Sequence, residues 1–403
     1  MSRARVLILG AGQAGAQVAI SLRQLGFAGD VVMLGDELEP PYQRPPLSKK
    51  FLSGEVAAER AYIRPLSFYE QTGVALRLGR RAIMIDRRSQ RVEDDHGDSH
   101  AYDALAICTG TRARRLDLEG AALPGIHYLR TLADARAIHG AAEPGLQVVI
   151  VGGGYIGLEV AASLRHLGCA VTVLEALPRV MARVVAPEVA AFYTAEHRRA
   201  GVAVETGIAL QRFVGRERVL AVQARDGREW PAALVVIGIG AVPNDELART
   251  AGLACDNGIV VDSFGATSDP AIWAAGDVTN HPSALFGRQI RLESVHNAMS
   301  QAKAVAAAIA GRPEPYDEVP WFWSDQYDLK LQIAGLSAVA DSALLRGDPA
   351  ARSFSCLYLA RGRLVAVDAI NRPADFISAK RLIAQRHELD VAGAVDPDRK
   401  LGS

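Results

Sequence analysis

Two segments of the chain repeat one glycine spacing, Gly10-Ala11-Gly12-Gln13-Ala14-Gly15 and Gly152-Gly153-Gly154-Tyr155-Ile156-Gly157. In G-x-G-x-x-G the first glycine makes a tight turn, the second lets backbone approach a pyrophosphate, and the third lets a helix meet a strand. The helix N-terminus behind the loop then faces the phosphates. The surroundings agree in both copies. An apolar run precedes the loop (residues 6–9 and 148–151), a helical-period run follows it (to Leu25 and to Leu167), and a second apolar run comes next (31–34 and 171–174). Each copy ends on an acid at the close of that run: Asp36, with Glu37 beside it, 21 residues beyond Gly15, and Glu175, 18 residues beyond Gly157. A carboxylate there can accept hydrogen bonds from the hydroxyls of an adenosine ribose. The chemistry implied is two dinucleotides held by one chain, a pair of cofactors that exchange electrons.

The second acid bears on cofactor choice. A 2′-phosphate about 4 Å from Glu175 would meet a repulsion of several kcal/mol at an effective dielectric of about 20, so NADH is expected over NADPH. Arg179 and Arg183 follow closely, and an Arg near this position can accommodate the phosphate instead. The plain alternative for both is a solvated helix or loop face.

Such loops must be carried by parallel strands, and the remaining segments read accordingly. Residues 91–102 predict a hairpin turning at Asp95-His96-Gly97-Asp98, feeding a strand that ends at Cys108-Thr109-Gly110. Residues 203–236 hold short β runs with an Asp226-Gly227 turn. Val235-Val236-Ile237-Gly238-Ile239-Gly240 then suggests a strand ending against a ligand. The apolar stretch 272–275 ends in Gly276-Asp277, and an Ala-rich helix is predicted over 295–309. Pro313, Pro315 and Pro320 mark a boundary. From Trp321 onward, strands at 329–334, 354–359 and 364–369 and a helix begun by Pro373 predict a small α+β module.

Composition limits the function classes. A chain of 403 residues is long enough for two or three domains, and 45 basic against 45 acidic side chains is too neutral for a dedicated nucleic-acid binder. With 49% apolar and 22% charged residues, disorder is excluded. No run of about 20 apolar residues escapes interruption, so no membrane span is expected. Arg3 and Arg5 before an apolar run imitate a signal peptide, but cleavage there would destroy the first glycine loop, and a cytoplasmic protein is expected. Cys108, Cys169, Cys255 and Cys356 lie too far apart for a zinc site or disulfide scaffold. His96 and His100 stand among acids, where a polar hairpin tip outweighs a metal site, and no metal is expected.

The first unit, together with Cys108-Thr109-Gly110 and the run Thr267-Ser268-Asp269-Pro270-Ala271-Ile272-Trp273-Ala274-Ala275-Gly276-Asp277, resembles the FAD half of the two-dinucleotide-binding flavoprotein reductases. Further motifs narrow the resemblance to the FAD-dependent NADH:ferredoxin reductases that serve P450 and Rieske oxygenase systems, the putidaredoxin reductase and biphenyl dioxygenase reductase type. They are Pro41-Tyr42-Gln43-Arg44-Pro45-Pro46-Leu47-Ser48-Lys49, Tyr128-Leu129-Arg130-Thr131-Leu132, Arg291-Leu292-Glu293-Ser294 and Trp321-Phe322-Trp323-Ser324-Asp325-Gln326. The resemblance spans almost the whole chain. It implies an α/β fold of the glutathione-reductase kind, with two Rossmann-like domains and a small C-terminal α+β domain. The FAD domain would be discontinuous (1–110 and 242–319), the NAD domain inserted (111–241), and the last domain would cover 320–403.

Residue by residue, the resemblance and the glycine loops imply FAD contacts at Gly10, Gly12, Ala14, Gly15, Asp36, Arg44, Lys49, Ala82, Thr109, Gly110, Arg130, Gly276, Asp277, Val295 and Trp323. NAD would be lined by Gly152, Gly154, Ile156, Gly157, Glu159, Glu175, Arg183, Gly238, Ile239, Gly240 and Glu293. Lys49, Glu159 and Trp323 are the residues expected to serve the reaction. Lys49 would stand near the flavin N5 region and pair with Glu159, and Trp323 would lie against the isoalloxazine near the partner surface. Their plain alternatives are a solvated first-turn lysine and a core aromatic.

The disulfide-reductase relatives place two cysteines after the first βαβ unit, whereas this chain has none before Cys108. Flavin electrons must therefore leave directly. The expected activity is hydride transfer from NADH to non-covalent FAD, followed by single-electron transfer to a [2Fe-2S] ferredoxin. Ferredoxins are usually acidic, so a basic docking patch is suspected at Arg64, Lys303 and Lys330. A monomer or weak dimer is expected, without nucleic-acid or membrane partners. The rival readings are an NADH-binding flavoprotein with a signalling role, an NADH:rubredoxin reductase, or an oxygen-consuming oxidase.

Overall fold

The computed structural model describes residues 4–402, and Arg3 lies outside them. The chain forms two compact units. One comprises Met1–Gln43, Glu59–Arg112 and Val242–Pro320; the other comprises Arg44–Ala58, Ala113–Ala241 and Trp321–Ser403.

The first unit is built on a parallel sheet ordered Ile272–Ala274, Ala104–Ile107, Arg5–Leu9, Asp30–Gly35, Val74–Leu78. Beyond Arg5 and Asp30, which open two of them, its inner strands carry no polar side chain because both faces are covered. Val6 and Ile8 pack with Val18 and Leu22 of the helix Gln13–Gln24 and with Ala302 and Val305 of the helix Val295–Ile309. Leu7 and Leu9 point the other way, onto Ile85, Val92, Leu253 and Val261. The many alanines of Val295–Ile309 let it sit closely against the first helix.

The second unit repeats the plan. Its parallel sheet runs Ala203–Thr206, Ala170–Glu175, Gln147–Val151, Leu234–Ile237, Ile126–Tyr128. In both sheets the strand that enters the glycine loop is central, flanked by the strand that leads to the acid and by a late-returning strand, so both loops open at the carboxyl ends of the strands. Val149 and Val151 pack on Phe213, Val219 and Val222 of a three-stranded antiparallel sheet. The C-terminal part is a five-stranded antiparallel sheet ordered Trp321–Gln326, Leu329–Gly335, Arg363–Ile370, Ser353–Ala360, Ser342–Asp348, covered by the helix Pro373–Ala384.

Strands that the sequence reading did not anticipate include the parallel-sheet edges Val74–Leu78 and Ile126–Tyr128 and three others outside those sheets. Ala82–Asp86 pairs with the anticipated hairpin and buries only Ile85. Trp321–Gln326 and Ser342–Asp348 are the two edges of the C-terminal sheet, and both bury polar side chains where an apolar alternation would have revealed them. In the second of these, Arg346 is 1% exposed and ion-pairs with Asp375 at 3.1 Å. It also donates to the carbonyls of Ala394, Asp396 and Arg399, which fixes the end of the chain. Among the described residues no helix is long and apolar enough to cross a membrane.

Candidate functional site

The glycine loops are sterically defined. A Cβ on Gly10, which has φ +105°, would lie 2.3 Å from the Cys108 carbonyl oxygen, and one on Gly15 would lie 2.0 Å from the Gly10 oxygen. The second unit matches: Gly152, also at φ +105°, would place a Cβ 2.5 Å from the Gly238 oxygen, and Gly157 one 2.0 Å from the Gly152 oxygen. Gly12 and Gly154 are different, because a Cβ on either would meet nothing within 4 Å. The first and third glycines are thus demanded by packing, while the middle one faces open space. Both helices that follow lack a side-chain cap and carry no acid in the first turn, so their amide ends are left for an anion. These features fit a dinucleotide pyrophosphate in each unit.

The two acids are not equivalent, which corrects the reading that each closes its strand. Leu34 and Leu174 occupy the same register position beside the central strands, so Glu175 corresponds to Gly35, and Asp36 stands one residue beyond its strand. The connection from helix to strand is two residues longer in the first copy (25–29 against 167–169), which spacing alone cannot resolve. The facing loop residues change in step. A Cβ on Gly35 would come within 2.5 Å of the Ala11 Cβ, whereas Gly153, which stands where Ala11 does, leaves room for Glu175. The Glu175 carboxylate accepts from the Gly153 amide at 2.6 Å and the Leu177 amide at 2.7 Å, fixing it over its loop. Asp36 is exposed, and its neighbour Glu37 accepts from the Tyr42 hydroxyl at 2.5 Å.

In the first unit, Thr109 and Gly110 are held by Asn244, whose side chain donates to the Thr109 carbonyl and whose carbonyl accepts from the Thr109 hydroxyl, both at 2.8 Å. Gly276 lies beside Ala14, where a Cβ would come within 3.0 Å, and its amide donates to Gln301 at 2.8 Å. Asp277 follows in the half-buried turn, and Val295 opens its helix after the Ser294 cap. Ala82 opens its strand half-buried. Glu293 also belongs to this unit, ion-paired to Arg291 at 2.7 Å, whereas the other ten residues assigned to NAD lie in the second. Conversely Arg44, Lys49, Arg130 and Trp323, assigned to FAD, belong to the second unit.

In the second unit the structure brings Lys49 and Glu159 together at 2.8 Å. Glu159, on the helix Tyr155–His166, is 3% exposed. The same carboxylate accepts from Ser48 at 2.5 Å and from Ser324 at 2.6 Å. Neither serine was singled out from sequence. The available signal for Ser324 was its inward position in a strand whose alternate residues, Trp321 and Trp323, are aromatic. Ser48 is itself held by Ser163, which donates to its carbonyl at 2.7 Å. Arg44 donates to the Arg130 carbonyl at 2.6 Å, and the Arg130 amide donates to Asp134 of a capping box. Trp323 is half-buried with its ring 5.6 Å from that of Trp321. Ile156 is 48% exposed on the first turn of its helix. Ile239 borders Gly152, and exposed Arg183 reaches toward Gly240.

Burial pushes the Cys108 thiol up to about 12, so the cysteine beside the first loop is chemically quiet. At the hairpin tip, Asp94 is buried; desolvation raises its carboxyl, but His100, the amides of Asp98 and His96, and Arg80 more than offset this and hold it at about 2. His100 therefore contacts Asp94, at 3.0 Å, and His96 lies in the turn. Arg64, Lys303 and Lys330 are all exposed, with Arg64 over the Phe68 ring.

Residues 4–302 match the family described as pyridine nucleotide-disulphide oxidoreductase, and residues 321–403 match the one described as reductase C-terminal. The probable ferredoxin reductase CtmF of Castellaniella defragrans is 45% identical over 98% of this chain and 97% of its own length. Putidaredoxin reductase CamA of Pseudomonas putida is 42% identical over 94% of this chain and 92% of its own. Among solved structures, the covalent putidaredoxin reductase–putidaredoxin complex contains a chain that superposes with a TM-score of 0.94 at 40% identity, covering 98% of both chains.

Proposed function

The chain belongs to the pyridine nucleotide-disulphide oxidoreductases, and from that premise we propose that it is an NADH-dependent ferredoxin reductase delivering electrons to an oxygenase system. Its cofactors are FAD and NAD(H). When bound, FAD accepts a hydride and releases the electron pair one at a time. The chain's own residues bind, orient and shield. The observation that carries the reading is the pair of loops whose middle glycines, Gly12 and Gly154, face open space ahead of uncapped helix ends.

In this reading residues 1–110 and 242–319 hold FAD, 111–241 hold NADH, and 320–403 serve the partner. The backbone around Gly10, Gly12, Ala14 and Gly15 cradles the flavin diphosphate, with Asp36 on the ribose and Asp277 toward the ribityl chain. Gly152, Gly154 and Gly157 cradle the nicotinamide dinucleotide, with Glu175 on its ribose. Lys49, braced by Glu159, places a positive charge where reduced flavin gathers negative charge, and no side chain needs to act as an acid or base. By the family resemblance, Trp323 would serve the isoalloxazine of a bound FAD. Arg64, Lys303 and Lys330 attract an acidic ferredoxin, raising its association rate more than its affinity. The similarity to putidaredoxin reductase and the absence of any cysteine before Cys108 both support direct electron exit to a one-electron protein carrier.

Steady-state NADH oxidation by the FAD-loaded protein, compared across a [2Fe-2S] ferredoxin, a rubredoxin and oxygen alone, tests this function. Turnover should be fastest with the ferredoxin. Equal or faster turnover with oxygen alone would replace the reductase reading with an oxidase.

A further inference from the structure

The Glu159 carboxylate ends a continuous series of hydrogen bonds that begins at the surface of the second unit. Tyr327, 38% exposed, meets His197 Nδ1 at 2.9 Å. His197 Nε2 meets Gln326 Oε1 at 2.9 Å, Gln326 Nε2 donates to Ser324 Oγ at 3.2 Å, and Ser324 donates to Glu159 Oε1 at 2.6 Å. His197, Gln326, Ser324 and Glu159 are all 3% exposed or less.

The direction of every proton follows from the last link. An ionised carboxylate paired to Lys49 can only accept, so the single Ser324 proton goes to Glu159 and the serine oxygen must receive from Gln326. That fixes the amide with its oxygen toward His197, which must then carry its proton on Nε2. His197 Nδ1 is left as an acceptor, and the Tyr327 hydroxyl donates to it. Burial lowers the His197 pKa, which favours this neutral ring. All four donors point toward one carboxylate, and hydrogen bonds aligned in this way polarise one another. Tyr327 occupies a left-handed backbone position, φ 56°, that glycine or asparagine adopts with less strain, so its side chain is kept against a local cost.

We infer that Gln326, His197 and Tyr327 are positioning residues that act through Ser324 to hold Glu159 aimed at Lys49. The inference rests on the reading of Lys49 and Glu159 as the pair serving hydride transfer. It links the C-terminal strand Trp321–Gln326, which also bears Trp323, to the nicotinamide-side helix Tyr155–His166 through the Ser324–Glu159 bond and to the helix Pro187–Arg199 through the Gln326–His197 bond. Lys49 and Ser48 face the carboxylate from the turn Pro45–Ser48 and its cap, and Tyr193 and Glu196 lie on the helix that carries His197.

The test uses FAD-loaded protein with Gln326→Met and Tyr327→Phe, each alone and combined with Glu159→Gln. The first readout is the rate of flavin bleaching by NADH in a stopped-flow mixer. The second is the isotope-edited infrared band of the Glu159 carboxylate, identified by its loss in Glu159→Gln, which reports hydrogen bonding without turnover. Gln326→Met should shift the band and slow bleaching about threefold, Tyr327→Phe less, with the NAD+ dissociation constant unchanged. In the Glu159→Gln background neither change should slow bleaching further, and His197→Gln, which keeps a donor toward Gln326, should retain more of the rate than His197→Phe. An unmoved carboxylate band in Gln326→Met, or an equal loss of rate with and without Glu159, would overturn the inference. A shifted band with unchanged bleaching in both Gln326→Met and Lys49→Ala would instead overturn the reading of the pair, leaving the hydrogen-bonded series intact.

Discussion

Replacing Glu175 by Gln tests the coenzyme site at a carboxylate that the fold holds by both oxygens. Both carboxylate oxygens are engaged by backbone amides, at 2.6 Å from Gly153 and 2.7 Å from Leu177, so the negative charge has a fixed place over the loop. A phosphate on the neighbouring ribose hydroxyl, about 4 Å away, would be repelled by roughly 4 kcal/mol at an effective dielectric of about 20. Solvent at the half-buried site reduces this to roughly 2–3 kcal/mol, or about 30- to 150-fold in relative kcat/KM. Glu175→Gln keeps the side-chain shape and removes the charge, and it gives up one of the two backbone bonds because its NH2 cannot accept from an amide. It also weakens the charge-assisted hydrogen bonds to the NADH ribose, so NADH kcat/KM should fall about tenfold or more. The assay is the rate of anaerobic flavin bleaching over a concentration series of each coenzyme. The NADPH-to-NADH ratio should rise by at least tenfold. A ratio within twofold of the unmodified protein would refute the assignment of Glu175 to the ribose.

Other outcomes follow from the same geometry. Lys49→Ala should slow flavin reduction by NADH without abolishing it, because Ser48 and Ser324 still hold Glu159; an unchanged rate and coenzyme affinity would remove Lys49 from the site. Gly12→Val should leave a folded protein that releases FAD, whereas Gly10→Ala, driven against the Cys108 carbonyl, should also lower Tm, and equal melting curves would contradict the loop argument. Burial holds His281 down at about 4, so the unfolded chain binds this proton first and stability is lost as pH falls from about 6.5 toward 4. His281→Phe should flatten that limb of a Tm-against-pH curve, and superimposable curves would show that the histidine contributes nothing. Ferredoxin reduction should slow as salt rises, with Arg64→Glu reducing the dependence; a salt-independent rate would remove the basic patch.

The glycine loops were legible because each position answers a separate physical demand, and the helix Val295–Ile309 because its alanines repeat at helical spacing. The one-residue offset between Asp36 and Glu175 was not, since counting along the chain cannot see the longer connection at 25–29 or the strand register. The edge strand Ser342–Asp348 was hidden because its buried residue is Arg346, which becomes an interior side chain only when Asp375 and three distant carbonyls arrive to satisfy it. Ser48 and Ser324 are ordinary residues in sequence. They acquire meaning only when a turn and a strand 276 residues apart converge on one carboxylate. The link from Gln326 to His197 likewise spans 129 residues and has no local signature.

The most direct measurement of the central claim is an anaerobic titration of the FAD-loaded protein with one equivalent of NADH, followed by oxidised [2Fe-2S] ferredoxin in measured steps. The account predicts that NADH bleaches the flavin spectrum and that its full recovery consumes two ferredoxins per NADH. A protein that NADH bleaches but that ferredoxin cannot restore, or one that binds no FAD, would contradict it.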